Sequence, residues 1–110
     1  MTRVSDVEGS ATVFAALGDE TRLRLVSRLC HDGPMSITRL AEGFDMSRQA
    51  ITKHLRVMED AGLVRSSWQG RESVWQLEQK RLAAARRHLQ TISTQWDETL
   101  SRLTNFVERV

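Results

Sequence analysis

The last stretch of the chain, Gln79 to Val110, contains neither glycine nor proline. Leu82, Leu89, Trp96, Leu103 and Val110 recur at every seventh position along it. Ala85, Ile92 and Phe106 fill a second seam that breaks at Thr99, and Leu100 and Val107 widen the stripe. Such a pattern predicts one continuous helix of roughly 48 Å at 1.5 Å per residue. The whole chain has 110 residues, enough for one domain with a small core. A helix this long is not covered by so small a domain. The heptad seam is therefore expected to face a second copy, with Leu82, Leu89, Ile92, Trp96, Leu103 and Phe106 as dimer-interface residues. The competing arrangement is a single helix laid back across its own domain.

A second helix, Met46 to Gly62, carries two unlike faces. Ile51, Leu55 and Met58 point one way, at spacing i, i+4, i+7. Gln49, Thr52, Lys53 and Arg56 form a stripe almost opposite. Ser47 is placed to cap the helix and Gly62 to stop it. One face docks on a core. The other presents cations, an amide and a hydroxyl, the groups that meet phosphates and base edges. Taken alone, this is equally the pattern of a solvated amphipathic helix, so its neighbours decide.

Those neighbours fall in a recognisable order. Residues Met1 to Gly9 read as a loose lead-in. Ala11 to Leu17 is a short apolar helix, with Val13, Phe14 and Leu17 on one side, ended by Gly18. Asp19 then caps a helix from Glu20 to His31 that buries Leu25, Leu29 and either Val26 or Leu23, and Gly33-Pro34 closes it. Ser36 caps a shorter helix ending near Gly43, with Ile37, Leu40 and Ala41 apolar. A short turn, Phe44 to Met46, leads into Ser47. Two helices joined by a short glycine-containing turn form a helix-turn-helix. After Gly62 the period changes to two. Leu63–Trp68 and Ser73–Leu77 read as strands around Gln69-Gly70-Arg71, with Trp75 and Leu77 inward. Trp68 and Trp75 are expected to pack together or onto the core. The fold class is thus mainly α with a small β-hairpin: a single winged helix-turn-helix domain over residues 1–110. The helix-turn-helix spans about 36–62, the wing about 63–77 and a long C-terminal dimerisation helix about 79–110.

Composition sets bounds on function. The net charge is only +2, so the position of the charge matters more than its sum. From Ser47 to Arg71 the cations Arg48, Lys53, Arg56, Arg65 and Arg71 stand against Glu59 and Asp60. One cysteine, Cys30, excludes an internal disulfide and fits a reducing compartment. No apolar run approaches a membrane span, and the N-terminus has no signal pattern. The expectation is a cytoplasmic protein with no membrane partner.

The runs FAALGDETRLRLVSRL (Phe14–Leu29), SITRLAEGFDMSRQAITKHLRVMEDAGLV (Ser36–Val64) and GRESVWQL (Gly70–Leu77) resemble the ArsR family of bacterial winged-helix repressors. The resemblance is specific as to fold and DNA binding, and silent on any signal. It implies a homodimer that binds a pseudo-palindromic operator in double-stranded DNA and represses transcription. The helix Met46–Gly62 would enter the major groove. Ser47, Arg48, Gln49 and Thr52, near its start, would reach base edges, and Lys53 and Arg56 would hold phosphates. Arg71, at the hairpin tip, would meet phosphate or the minor groove. Arg65 is a weaker backbone candidate. His54 flanks the apolar stripe and reads as a packed, hydrogen-bonded histidine.

Many members of that family sense metals through paired cysteines near the third helix, or through Asp and His on the last. Here SITRLAEGF has no cysteine and the last helix has a single histidine, His88. A zinc site usually needs four N, O or S ligands, so no metal and no cofactor is expected. Cys30 reads as a small buried residue rather than a ligand or redox sensor. The competing functions are a metal- or thiol-responsive repressor with an unrecognised site, and a winged helix used for protein–protein contact. A small-molecule effector is not legible. No nucleophile–base pair, phosphate-cradling glycine loop or carboxylate pair points to an enzyme.

Overall fold

The computed structural model describes residues 4–109. In chain order the elements are α1 (Val4–Leu17), α2 (Glu20–Asp32), β1 (Met35–Ser36), α3 (Ile37–Ala41), α4 (Arg48–Asp60), β2 (Val64–Gln69), β3 (Glu72–Leu77) and α5 (Gln79–Arg109). The strands form one antiparallel sheet in the order β1-β3-β2. This is the expected winged helix-turn-helix, with a third strand added.

Side-chain caps start the helices where the sequence reading places them. The Asp19 carboxylate accepts from the Arg22 amide at 3.0 Å, opening α2. The Ser36 and Ser47 hydroxyls accept from the Arg39 and Ala50 amides at 3.3 and 3.1 Å, opening α3 and α4. The end of α4 is closed by paired bonds, Gly62 N–H to the Glu59 carbonyl and Leu63 N–H to that of Met58, both 2.9 Å. Gly62 sits at φ +78, the left-handed value this ending requires. On α2 the choice between Leu23 and Val26 falls to Val26: Leu23 is 51% exposed.

Four expectations are corrected. The N-terminal segment is not a loose lead-in from Val4 onward, because α1 begins there and runs through Gly9 (residues 1–3 lie outside the described residues). The reason is long-range: α1 docks on α5, and a Cβ at Gly9 would lie 2.9 Å from the Arg81 guanidinium. Next, α3 stops at Ala41 rather than near Gly43. Arg28 reaches over and donates to the Leu40 and Glu42 carbonyls at 2.8 and 2.6 Å, closing that end from outside. Cys30 is exposed, not buried: it follows buried Leu29 but lies off the Leu25–Val26–Leu29 stripe, and with His31 and Asp32 it faces solvent. Finally, Trp68 does not pack with Trp75 or on the core: it is 76% exposed.

The core lies between the helices and the inner face of the sheet. Leu25 and Leu29 of α2, Leu40 of α3, Ile51, Leu55 and Met58 of α4, and Trp75 of β3 are all essentially buried. On α5 only the first turns join this core: Ala85 is buried and Leu82 half-buried against it. Leu82, expected in a seam between two copies, thus packs within its own chain. Beyond it Leu89, Ile92, Trp96, Leu100, Leu103, Phe106 and Val107 are exposed (Val110, the last heptad position, lies outside the described residues). The molecule measures 67 × 30 × 20 Å, the long dimension reflecting a helix far longer than the body it leaves. No helix is long and apolar enough to cross a membrane among the described residues.

Leu55 is fully buried and Leu23 half-exposed, so truncating each should separate core from surface. Leu55→Ala is expected to lower the unfolding free energy by about 2–5 kcal/mol. Leu23→Ala should change it by less than about 0.5 kcal/mol. Urea denaturation followed by circular dichroism checks both.

Candidate nucleic-acid interface

The polar stripe of α4 borders an open groove. Ile37 of α3 forms one lip, and Arg48, Gln49, Thr52 and Lys53 form the other. Arg48, Gln49 and Lys53 are exposed, and their side chains have no partner among the described residues. Thr52 is half-buried and turns its hydroxyl back to the Arg48 carbonyl at 2.8 Å. That hydroxyl keeps acceptor capacity on the groove side. Ser47 stands at the helix start, its oxygen engaged as the cap. Five of the seven expected DNA-facing residues are therefore brought together at one end of α4. The positive end of the helix dipole lies there too, where an anion is favoured.

Arg56 has a second occupation. Its guanidinium donates to Glu59 at 2.8 Å and lies 5.2 Å over the Trp75 ring. Glu59 also accepts from the Ser66 hydroxyl of β2 at 3.0 Å. Arg56 and Glu59 thus lock the recognition-type helix to the wing while the guanidinium stays partly open to solvent. Chiefly because Arg56 bonds to it, the Glu59 carboxyl is held below its ordinary value. Arg71, at the two-residue tip after Gly70, is exposed and apart from the α4 cluster. Arg65 lies 3.8 Å from Glu78, so its charge is shared within the sheet edge.

His54 faces away from the groove. Its Nδ1 lies 3.5 Å from the Arg22 guanidinium and 3.7 Å from the Asp19 carboxylate. Arg22 in turn donates to the Ala16 carbonyl at 2.6 Å. This cluster joins the end of α1, the start of α2 and the back of α4. Asp19 has a lowered pKa, first through the Arg22 amide bond and, against burial, through the charges of Arg22 and His54. Among the described residues no three His, Cys, Asp or Glu side chains converge as metal ligands. His31 bonds to Asp32 at 2.8 Å rather than joining Cys30 in a site.

The second candidate surface is the apolar ridge of α5. Leu89, Ile92, Trp96, Leu103 and Phe106 are between 47% and 67% exposed. A contiguous apolar stripe of this kind on a charged helix marks an interaction surface. The sequence reading missed Trp68, whose period-two position does not tell a wing side chain over the core from one beyond it.

A groove lined by amide, hydroxyl and cation on a helix, flanked by a hairpin, defines a winged helix-turn-helix DNA-binding transcription regulator. Residues 17–67 match a family model described as a helix-turn-helix domain. HTH-type transcriptional regulator Rv2034 of Mycobacterium tuberculosis is 41% identical over 76 residues, which span 69% of this chain and 70% of that one. An arsenical resistance operon repressor of Bacillus subtilis is 31% identical over 64 residues, 58% of this chain and 61% of that one. The solved structure of an ArsR-like transcriptional regulator from Rhodococcus sp. RHA1 superposes with a TM-score of 0.77 at 36% identity. It covers 94% of this chain and 96% of that one. The chain belongs to the ArsR family of transcriptional regulators.

Glu59→Gln removes the charge that Arg56 and Ser66 share. A carboxylate with a lowered folded-state pKa stabilises above its usual value of 4.5 and loses that contribution as pH falls. Wild type should therefore melt above Glu59→Gln at neutral pH. The gap should close as pH drops below 4.5, as read by thermal scans across pH.

Proposed function

We propose that the protein is a homodimeric repressor that binds a pseudo-palindromic operator. The observation that carries this reading is the unpartnered polar groove at the start of α4. Arg48, Gln49 and Lys53 are held on a rigid helix with no intramolecular use for their charges and amide. An α-helix fits the major groove, and its N-terminal residues reach the base edges. Arg48, Gln49 and Thr52 read bases, and Ser47 both caps the helix and lies at the same edge. Lys53 holds phosphate, and Arg56 does so from its seat on the wing. Arg71 meets the backbone or minor groove beside the wing.

The ridge Leu89, Ile92, Trp96, Leu103 and Phe106 takes a second copy, and Leu82 continues it from the edge of the core. Two-fold pairing along α5 sets two recognition helices on one face, which matches a two-fold-related pair of half-sites. Occupying such a site blocks transcription, as the name of the Bacillus subtilis relative says of that protein. The work is binding rather than catalysis, and it is done in the cytoplasm, where bacterial DNA lies.

Two outcomes test this. Lys53→Ala should weaken binding to every sequence and lower the slope of log affinity against log salt by about one. Gln49→Ala should instead narrow the gap between operator and unrelated DNA, by about 1–3 kcal/mol. Fluorescence anisotropy titrations at several salt concentrations distinguish them. Replacing the ridge residue Trp96 by Asp should convert a dimer to a monomer in sedimentation analysis and reduce operator affinity with it.

A further inference from the structure

Helix α1 docks on the first turns of α5, and an open cleft of about 570 Å³ remains where they meet. Gly9 and Ser10 of α1 line it on one side. Lys80, Arg81 and Arg87 of α5 line it on the other, with Ala83 and Ala84 between them. Spacing i, i+4, i+7 puts Lys80, Ala84 and Arg87 on one side of the helix, roughly opposite the ridge of Leu82, Leu89 and Trp96. Pairing of two chains along that ridge does not occupy this face. Arg81 reaches the cleft between two glycines. Its stem lies across Gly62, and its Nη1 stands 2.9 Å from where a Cβ on Gly9 would be.

The charge of the cleft is uncompensated. Among the described residues no carboxylate lines it, and the side chains of Lys80, Arg81 and Arg87 have no partner. Arg22, Arg28 and Arg56, by contrast, each donate to a carbonyl or carboxylate. Lys80 and Arg81 also sit in the first turn of α5, at the positive end of its dipole, where an anion is favoured and a cation is not. That turn has no acidic residue, and Glu78 just before it faces Arg65 instead. Ser10 is a second and separate observation. It is 3% exposed, and its buried Oγ has no hydrogen-bond partner. Ser27, Thr52, Thr91 and Thr99 each turn the hydroxyl back to the carbonyl four residues earlier. Ser10 does not. Buried polar groups are rarely left so, and one at the wall of a cationic cleft calls for a partner from outside the chain.

We propose that this cleft binds a small phosphate monoester. Lys80, Arg81 and Arg87 hold the phosphate, and the Ser10 hydroxyl donates to it as well. Near neutral pH such a group carries a charge of about −1.5 to −2, which three cations match better than they match the single charge of a carboxylate. Guanidinium groups present paired donors that phosphate oxygens accept two at a time. A cleft of about 570 Å³ has the size of a site for a whole small molecule rather than for one phosphate. The space beside Gly9, Ala83 and Ala84 takes the organic group that the phosphate carries.

The test titrates the full chain, without DNA, with phenyl phosphate, inorganic phosphate and benzoate, followed by calorimetry and two-dimensional NMR. Phenyl phosphate should shift the amides of Gly9, Ser10 and residues 80–87, and should bind about tenfold more tightly than either of the others. Arg87→Gln and Ser10→Ala should each weaken it by about fivefold. Arg86→Gln removes an exposed neighbouring cation outside the cleft and should leave binding unchanged. Without ligand, Ser10→Ala should melt no lower than wild type, because the hydroxyl it removes has no partner in the fold. Absence of saturable binding overturns the proposal, as does inorganic phosphate or benzoate binding as tightly as phenyl phosphate. Equal losses from Arg86→Gln and Arg87→Gln overturn it as well, since they mark diffuse attraction to a basic helix. So does a fall in the melting temperature of Ser10→Ala, which shows that the hydroxyl is already satisfied within the chain. Displacement of phenyl phosphate by duplex DNA of random sequence assigns these cations to a nucleic-acid surface and overturns the small-molecule site. Because phenyl phosphate is measured without DNA, its binding stands or fails separately from the reading of α4.

Discussion

Trp75 is where the three parts of the DNA-binding domain meet. It lies mid-strand in β3, opposite Met35 of β1 on one side and Ser66 of β2 on the other. It is buried against the helices, and Arg56 of α4 closes over its ring. One indole therefore fixes the start of α3, helix α4 and the wing relative to one another. Its Nε1 has no hydrogen-bond partner, which costs about 1–3 kcal/mol relative to a satisfied donor. The apolar area and the cation above the ring offset that cost. The placement of α4 relative to the wing thus depends on packing, with Arg56–Glu59–Ser66 as the polar clasp on its outer side.

The back of α4 is held by a different device. His54, Arg22 and Asp19 link it to α1 and α2, and Arg81 of α5 lies across Gly62. A Cβ at Gly62 would stand 2.8 Å from the Arg81 Nε, and one at Gly9 would stand 2.9 Å from its Nη1. The two glycines leave a channel for this side chain, so the base of α5 sits close to both α1 and the end of α4. In the proposed dimer, any change in how two α5 helices pair would thereby be in mechanical contact with the end of α4. The polar residues proposed to read DNA, Arg48 to Lys53, lie toward the other end of that helix, about 14–21 Å from Gly62 at 1.5 Å per residue.

Local signals were legible in the sequence, and non-local ones were not. Asp19, Ser36 and Ser47 cap helices through bonds to residues three ahead, so the sequence alone locates those starts. The apolar spacing of α4 identifies its buried face, because Ile51, Leu55 and Met58 answer only to helix geometry. By contrast β1 is two residues long and is a strand only because β3 offers an edge to Met35 and Ser36. The early start of α1 through Gly9 depends on Arg81, far off in sequence. Trp68 misleads because periodicity reports the direction of a side chain, not whether the core extends that far, and the outer half of the hairpin runs past it. Cys30 stands one position beyond buried Leu29, off the Leu25–Val26–Leu29 stripe. In the candidate site the α4 cluster was readable, whereas the coupling of Arg56 to Glu59 and Trp75 needed the wing in place.

The same limit separates the two halves of α5. Its hydrophobic repeat runs from Leu82 to Val107, broken in the second seam at Thr99, yet the residues serve different purposes. Ala85 and Leu82 complete the core of the chain they belong to, while from Leu89 onward the large apolar side chains of the ridge are exposed. A stripe that begins inside the core and continues outside it has one consequence for assembly. The partner surface is in register with the core itself, because both are presented by one rigid helix. In the proposed dimer, pairing of two such helices would fix not only that two domains associate but how they are rotated about the common axis. With the end of α4 held against the base of α5 through Gly62 and Arg81, that rotation would set the spacing between the two α4 helices of the proposed dimer. The length of α5, and not the winged helix alone, would then set which separation of half-sites such a dimer fits.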